Sequence, residues 1–482
     1  LACYRDKVGS FASMNPMGRG VQWTCTMVVG IRVFNLLSSY ELLRCGLCED
    51  DPMHTVIAEL AFCHGEHIWA NLETSARLQE NNHYIADLLG LAAVVAAYPN
   101  LPKARKWGEY THNELMRCVR KQVLDDGCCF ERSTRYTRLV GEMLFFAGKC
   151  FAETPYKLPA DFFERLSILG RFLDAVTGED GCSLQIGDND SGRVVCISPE
   201  RYDDLRLVSR LANREIGPDA PDEAFFAEEE LFYGASGRVA CIPSWRGGAR
   251  TFYDAGMALA RYGDWSLGFF ASDGFVDESE PGHTHNDKLS FTLCFKGVPF
   301  FVDPGSGVYT RDPKVRNILR GTAQHSTLRF GNLEQNDFQG LFGYTRRGGA
   351  SLDVAEADGA VVFRGATDCW ATRLGVTHKR VVEVCLEGVV VKDDVEGSEP
   401  AVAATRSFVL APEVDVSVIG RKEAILVSRG VSVTFCAEGD IVVRKGLYSP
   451  HYGTVVKSTI LDVPFEYGGT NVITVRESLN ED

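Results

Sequence analysis

The residues best equipped for chemistry lie in Gly282-His-Thr-His-Asn-Asp-Lys-Leu-Ser-Phe291, followed by Phe301-Val-Asp-Pro-Gly305 and Thr322-Ala-Gln-His-Ser326. On a strand, His283 and His285 point to the same side, and Asp303 closes the next apolar strand. Together with His325 they form a ligand set suited to zinc, which takes imidazole nitrogen and carboxylate oxygen in a tetrahedral site. Three of them suffice if one position is left to water. The same residues also fit a hydrogen-bonded cluster at a sheet end, because their spacing follows no short zinc motif.

A second group, Glu80-Asn81-Asn82-His83, precedes the helical pattern Tyr84–Ala97. Asn at that place is a good N-cap. Two amides and an imidazole at a helix N-terminus also suit a carboxylate, which the backbone amides and the dipole favour. A third group runs from Asp126-Gly127 through Glu131-Arg132-Ser133-Thr134-Arg135-Tyr136. A Tyr near a helix start is ordinarily half-buried packing. Here Arg132, Arg135 and Arg138 surround it in sequence, which predicts a phenol of lowered pKa, since positive charge favours the phenolate.

These groups need elements to position them. Six segments carry apolar residues at helical spacing: Cys25–Leu43, Thr55–Asn71, Tyr84–Ala97, Lys103–Leu124, Thr134–Phe151 and Ala160–Thr177. Short turns such as Asp51-Pro52 and Asp126-Gly127 join them. Consecutive helices without intervening strands describe hairpins packed as a bundle, solenoid or toroid. The acidic stretch 215–225, with two prolines, reads as a linker. After it come short runs rich in Val, Phe and Thr, including Arg238–Pro243, Trp265–Ala271, Leu289–Phe295, Val298–Val302, Ala360–Phe363 and Lys379–Val391. These suggest antiparallel sheets in a sandwich. The expected division is 1–214 helical, 215–225 linker, 226–375 central β-sandwich and 376–482 C-terminal sheets.

Composition narrows the function classes. A net charge of -15 over 482 residues argues against nonspecific nucleic-acid binding, so a polyanionic ligand needs a local basic cleft. No run approaches the ~18 apolar residues of a membrane helix. The sixteen cysteines are scattered, mostly in apolar runs, and read as buried, reduced thiols. Cys45-x-x-Cys48 without a second pair is a weak metal or redox signal. The opening at Leu1, without Met or a basic-then-apolar leader, fits a processed or truncated N-terminus and a cytosolic one equally.

The three groups, in this order, resemble the heparinase II/III-like family of polysaccharide lyases, related also to some alginate lyases. Gly282-His-Thr-His-Asn-Asp…Leu289-Ser-Phe291 with Val302-Asp-Pro-Gly305 carries the likeness. Asn71-Leu-Glu73, Asn81-Asn-His83, Ser133-Thr-Arg-Tyr136, Ala323-Gln-His-Ser-Thr327, Glu334-Gln335 and Asn15–Trp23 support it. The resemblance implies a multidomain α+β fold, an incomplete (α/α) toroid followed by antiparallel β-sandwich sheets, with the active cleft between them. It implies β-elimination at a uronic acid, with Asn82 and His83 neutralising the sugar carboxylate and Tyr136 as base or as acid to the leaving O4. His283 would be a second base or neutraliser facing Tyr136 across the cleft. His285, Asp303 and His325 match the family's positions for a structural divalent metal, zinc by ligand type. Asn81, Arg132, Arg135, Tyr309 and Arg320 are candidate substrate contacts, Tyr309 standing in for an additional tyrosine of alginate-cleaving relatives. The family's Ala-His-Asn-Thr reads here Gln324-His-Ser-Thr327.

The partner implied is an acidic polysaccharide or oligosaccharide, with no nucleic acid, no membrane and room for an oligomer, in the periplasm or secreted. Two alternatives stay open. One is a glycoside hydrolase using Asp188 and Asp190 as paired carboxylates. The other is a glycan-binding or capsule-assembly protein without turnover.

Overall fold

The computed structural model describes residues 1–74, 80–178, 181, 183–198, 203–212, 227–233, 245, 247–272, 282–345, 348–357 and 359–478. The sequence-drawn linker 215–225 and the strand expected at Arg238–Pro243 lie outside them. The chain divides into two compact units. One comprises Leu1–Gly127, Thr137–Leu173 and Arg193–Ile242; the other comprises Cys128–Tyr136, Asp174–Gly192 and Pro243–Asp482. Two stretches from the helical half of the sequence thus cluster with the β-strands.

The first unit is built from α1 (Ala2–Met14), α2 (Thr26–Leu43), α3 (Pro52–Ala70), α4 (Asn82–Ala97), α5 (Ala104–Gln122), α6 (Thr134–Phe151), α7 (Ala160–Ala175) and the short α8 (Leu207–Ala212) and α9 (Ala227–Tyr233). The start of α6 and the end of α7 extend into the second unit. Helix α3 begins where Asp51 accepts from the Met53 amide and Pro52 takes the first position, whose N–H would have no partner anyway. Helix α4 is buried almost throughout because its apolar residues surround the axis. It lies against α2 at a crossing where a Cβ on Gly30 would sit 2.1 Å from the Ala86 carbonyl and one on Gly90 2.6 Å from the Gly30 Cα. Helix α1 was not foreseen: only Val8 of its thirteen residues is buried, so it carries little apolar periodicity. No described helix is long and apolar enough to cross a membrane.

The second unit opens with a meander of β1 (Gly248–Phe252), β2 (Met257–Tyr262), β3 (Trp265–Phe270), β4 (Ser290–Phe295) and β5 (Val298–Phe301), each antiparallel to the next. An eight-stranded antiparallel sheet follows, in the order Asp415–Gly420, Glu423–Ser428, Val431–Ala437, Val472–Glu477, Gly388–Glu396, Thr377–Cys385, Ala360–Thr367, Ala350–Ala357. The boundary placed at 375/376 from sequence falls between Ala360–Thr367 and Thr377–Cys385, which pair with each other. A four-stranded sheet holds Val442–Tyr448, Val456–Pro464, Ala404–Val409 and Leu328–Phe330. Inward positions such as Phe269, Phe291, Phe301, Val382, Phe408 and Phe435 form one apolar core. This alternation of buried and exposed residues is the period-two pattern that the sequence displays.

Candidate active site and metal centre

Helix α6 starts beside a loop of the β unit. The Ser133 hydroxyl accepts from the Tyr136 amide at 3.2 Å, which makes it the N-cap, and donates to the Asp188 carbonyl at 2.6 Å. Thr134 donates to the Leu184 carbonyl at 2.9 Å. The same loop is sewn to the histidine segment, since the Asp188 amide donates to the His283 carbonyl at 2.9 Å. Gly187, at φ 66°, permits this approach: a Cβ there would lie 2.5 Å from the His283 carbonyl oxygen. Tyr136 and His283 are thereby set against each other, 147 positions apart in the chain.

Their rings stack with centroids 3.6 Å apart and planes inclined by 16°. His283 was expected to face Tyr136 across a cleft; instead the two are in contact. His283 Nδ1 bonds Asp188 Oδ2 at 2.8 Å, and Nε2 lies 3.1 Å from Glu131 Oε2. The Tyr136 hydroxyl lies 3.0 Å from that of Tyr309. The Arg316 guanidinium sits 5.2 Å over the Tyr309 ring and 5.5 Å over that of Phe342.

Asp188 is the hub. It is fully buried and takes both Arg316 Nη atoms, His283 Nδ1, and His285 Nε2 at 2.9 Å. Burial alone would raise its pKa, but Arg316 and the two imidazoles overcome this and hold the carboxyl well below its usual range. Burial likewise opposes the charge on His283, yet Asp188 and Glu131 push it up to about 9. The phenols of Tyr136 and Tyr309 are raised well above 10, first by burial and then by the nearby carboxylates Asp188 and Asp190. This overturns the phenol of lowered pKa. Arg138 is occupied in the helical unit 3.6 Å from Glu142, and Arg132 donates to Ser272 at 2.5 Å.

The segment 282–289 is not a strand; β4 begins at Ser290. His283 and His285 nevertheless converge on opposite oxygens of one carboxylate, and the left-handed Leu289, at φ 59°, turns the chain into β4. His285 Nδ1 lies 3.3 Å from His325 Nε2 and 3.9 Å from Asp303 Oδ1, and His325 Nε2 lies 3.4 Å from Asp303 Oδ2. The outer nitrogens are spoken for: His285 Nε2 by Asp188, His325 Nδ1 by the Gly321 carbonyl at 2.8 Å. Asp303 Oδ1 accepts from the Gly305 amide, while Oδ2 is buried with no hydrogen-bond donor. Two imidazole lone pairs and one orphaned carboxylate oxygen thus point together in a dry site, which fits a bound cation. Arg380 braces both segments, donating to the Leu289 and Ser326 carbonyls at 2.7 and 2.6 Å while gripping Asp393.

In the helical unit, Asn81 caps α4 by accepting from the His83 amide at 3.0 Å, and Asn82 is buried. His83 Nδ1 bonds Glu73 Oε2 at 2.7 Å, and the ligand atoms of Cys25, Glu73 and His83 lie within 4.8 Å of one another. Arg132, Arg135 and Arg320, expected as substrate contacts, are all buried. Arg320 binds Asn317 and the Gly340 carbonyl and stacks 4.2 Å over Phe338. Sequence reasoning missed Glu131 and missed Asp188 as a hub, weighing the latter only as a hydrolytic carboxylate. Their one visible signal was an acidic residue beside each aromatic or glycine-rich motif.

Residues 6–169 match the family model described as heparinase II/III N-terminus, and residues 246–476 the one described as heparinase II/III-like, C-terminal. A crystal structure of heparinase III superposes with TM-score 0.72 at 17% identity, covering 100% of this chain and 74% of that one. The heparan sulfate lyase of Pedobacter heparinus gives 0.64 at 17% identity, over 98% of this chain and 73% of its own. The Streptomyces coelicolor chondroitin AC lyase, solved with chondroitin sulphate, gives 0.59 at 13%, over 99% and 70%. Comparison with curated proteins by sequence finds no match. The likeness spans the chain and extends to the fold: a helical N-terminal region of the α/α toroid type followed by antiparallel β-sandwich sheets.

Proposed function

Because the chain belongs to the heparinase II/III-like family, we propose that it is a polysaccharide lyase that cleaves a uronic-acid-containing, glycosaminoglycan-type polymer by β-elimination. The observation that carries the reading is the Tyr136–Tyr309 hydroxyl pair at 3.0 Å, with Tyr136 stacked on a His283 that Asp188 holds in place.

The reaction removes the C5 proton of a uronate and expels the oxygen on C4. The C5 proton is weakly acidic because the adjacent carboxylate is already negative, so positive charge and donors at that carboxylate stabilise the enolate-like transition state. His283, a cation at neutral pH, suits this electrostatic task better than that of a base. Tyr136 begins as a neutral phenol and is ready to protonate the leaving O4; to take the C5 proton it must first ionise, releasing its own proton to solvent. For Asn82 and His83 we propose the carboxylate-neutralising role, with Asn81 serving as the cap of their helix. His285, Asp303 and His325 would hold a zinc ion, which when bound supplies a structural cross-link between the segments that present His283. A polymeric acidic substrate favours a periplasmic or secreted location.

The hydrolase alternative needs two available carboxylates. Asp188 has its oxygens engaged by Arg316 and two imidazoles, and Asp190 accepts from the Gly192 amide at 2.7 Å. The test is ultraviolet absorbance of the unsaturated uronate formed from a panel of acidic polysaccharides, with Tyr136→Phe alongside. An absorbance rise that Tyr136→Phe lowers by about 10²–10⁴-fold is expected. New reducing ends without absorbance would favour hydrolysis, and silence in both assays the non-catalytic glycan-binding reading.

A further inference from the structure

Cys25 is the residue that precedes α2, and it is half-buried. Beside it Glu73 performs two tasks with its two oxygens. Oε1 accepts from the Thr26 and Met27 amides at 3.1 and 3.3 Å, and Oε2 bonds His83 Nδ1 at 2.7 Å. The backbone of Glu73 is fixed in turn, its amide donating to Asp87 Oδ2 at 2.8 Å. A thiol, an imidazole and an orienting carboxylate thus meet at the start of an eighteen-residue helix.

We infer that Cys25 is a reactive sulfur nucleophile, and that among the described cysteines it is the preferred site of covalent modification by soft electrophiles and peroxides. The imidazole supplies a proton acceptor and then a counter-ion, and Glu73 orients it, which is the arrangement that activates a thiol. Hydrogen bonding to His83 lowers the Cys25 pKa, and the pair with Cys25 and Glu73 outweighs burial to push His83 up to about 10. The charged groups facing the sulfur are His83, Glu73 and Asp87, the last pushed up to about 8 by its burial and so largely neutral at neutral pH. Among the described residues, Cys25 is the cysteine whose sulfur falls in a cluster with an imidazole and a carboxylate within 4.8 Å of one another. Cys3, Cys45, Cys48 and Cys196 are exposed, and the thiols of Cys118, Cys129 and Cys150 are raised by burial.

With hydrogen peroxide, the sulfur attacks one oxygen, an S–O bond forms and the O–O bond breaks. The leaving hydroxide takes the imidazolium proton to become water, so the thiolate is oxidised to sulfenic acid and the peroxide reduced. With iodoacetamide, an S–C bond replaces C–I and iodide leaves. Either product deprives His83 of a negative partner.

His83 also serves the lyase reading, but no turnover readout is needed here, so failure of one can be told from failure of the other. The intact chain is treated with iodoacetamide at about pH 6.5, and each cysteine is followed by peptide mass spectrometry. An ordinary thiol is only about 1% ionised there. Thiolate excess at Cys25, less its lower nucleophilicity, is expected to give roughly tenfold faster labelling than Cys3 or Cys196. Because hydrogen bonding to His83 lowers its pKa, the Cys25 rate is expected to rise less steeply with pH than the rates of the exposed thiols, which gain about tenfold per pH unit below their own pKa. His83→Asn should bring Cys25 back to the exposed-thiol rate. Labelling of Cys25 no faster than Cys3, or a pH profile parallel to it, overturns the inference from the wild-type chain alone. Protection of Cys25 that a chelator relieves overturns it too, by making the trio a metal site.

Discussion

Replacing Asp188 by Asn exchanges one oxygen for an NH₂ and removes the negative charge that bonds both Arg316 and His285. Asp188 accepts four bonds, from His283 Nδ1, His285 Nε2 and both Arg316 Nη atoms, and it is fully buried. An amide can accept through one oxygen only, and its NH₂ would face donors. Arg316, also fully buried, would be left without its counter-charge. Breaking a buried pair by removing one partner costs about 3–5 kcal/mol. For a domain of 150–250 residues each kcal/mol shifts Tm by roughly 2–4 °C, so the transition of the β unit should fall by about 10 °C. Turnover should fall by at least about 100-fold, because His283 loses its orienting acceptor. Calorimetry of wild-type and variant protein in parallel, with absorbance of the unsaturated product on the same preparations, measures both. A variant melting within about 2 °C of wild type and retaining its turnover would refute the reasoning that Asp188 organises the site.

Other expectations follow from the same geometry. His285→Ala should lower thermal stability and bring metal content, measured by elemental analysis, from about one ion per chain to near zero; a fully stable, metal-free and active variant would refute the metal centre. Because Tyr136 starts as a neutral phenol, kcat/KM should rise with pH from about 6 to 8 if ionisation of that phenol precedes proton abstraction; a rate independent of pH over that range would remove Tyr136 as the base. Asp87 is raised to about 8 by burial, so the folded state holds a proton that the unfolded chain releases near pH 4. Its contribution to stability is therefore present below that pH and lost as pH rises toward 8. Asp87→Asn keeps an acceptor for the Glu73 amide and should raise Tm at about pH 8 with little change near pH 4. An equal effect at both would contradict the assignment.

Much of this molecule could be read from local pattern, because period and capping are local properties. Thr134–Phe151 was read with the bounds that the structure gives, and Asp51-Pro52 and Asn81 cap helices as their residue types direct. The strands around His283 and Asp303 were visible in the Phe-rich runs that became β4 and β5. His283, His285, Asp303 and His325 were identifiable as a candidate ligand set from residue type and order, the resemblance to the family singled out the last three, and the structure brings the ligand atoms of those three within 4.8 Å. What the residue types left open was the electrostatics. Three arginines near Tyr136 in sequence suggested a more acidic phenol; in the folded chain they are buried among their own partners, while carboxylates 50 or so residues away and the exclusion of water raise it. Asp188 was weighed from sequence as a hydrolytic carboxylate, yet its carboxylate joins Tyr136's stacked neighbour to the cluster of His285, Asp303 and His325, because folding brings residues 188, 283, 285 and 316 to one point and drives out the solvent between them. A charge's partners and its dielectric surroundings belong to that tertiary arrangement and have no local trace in the chain.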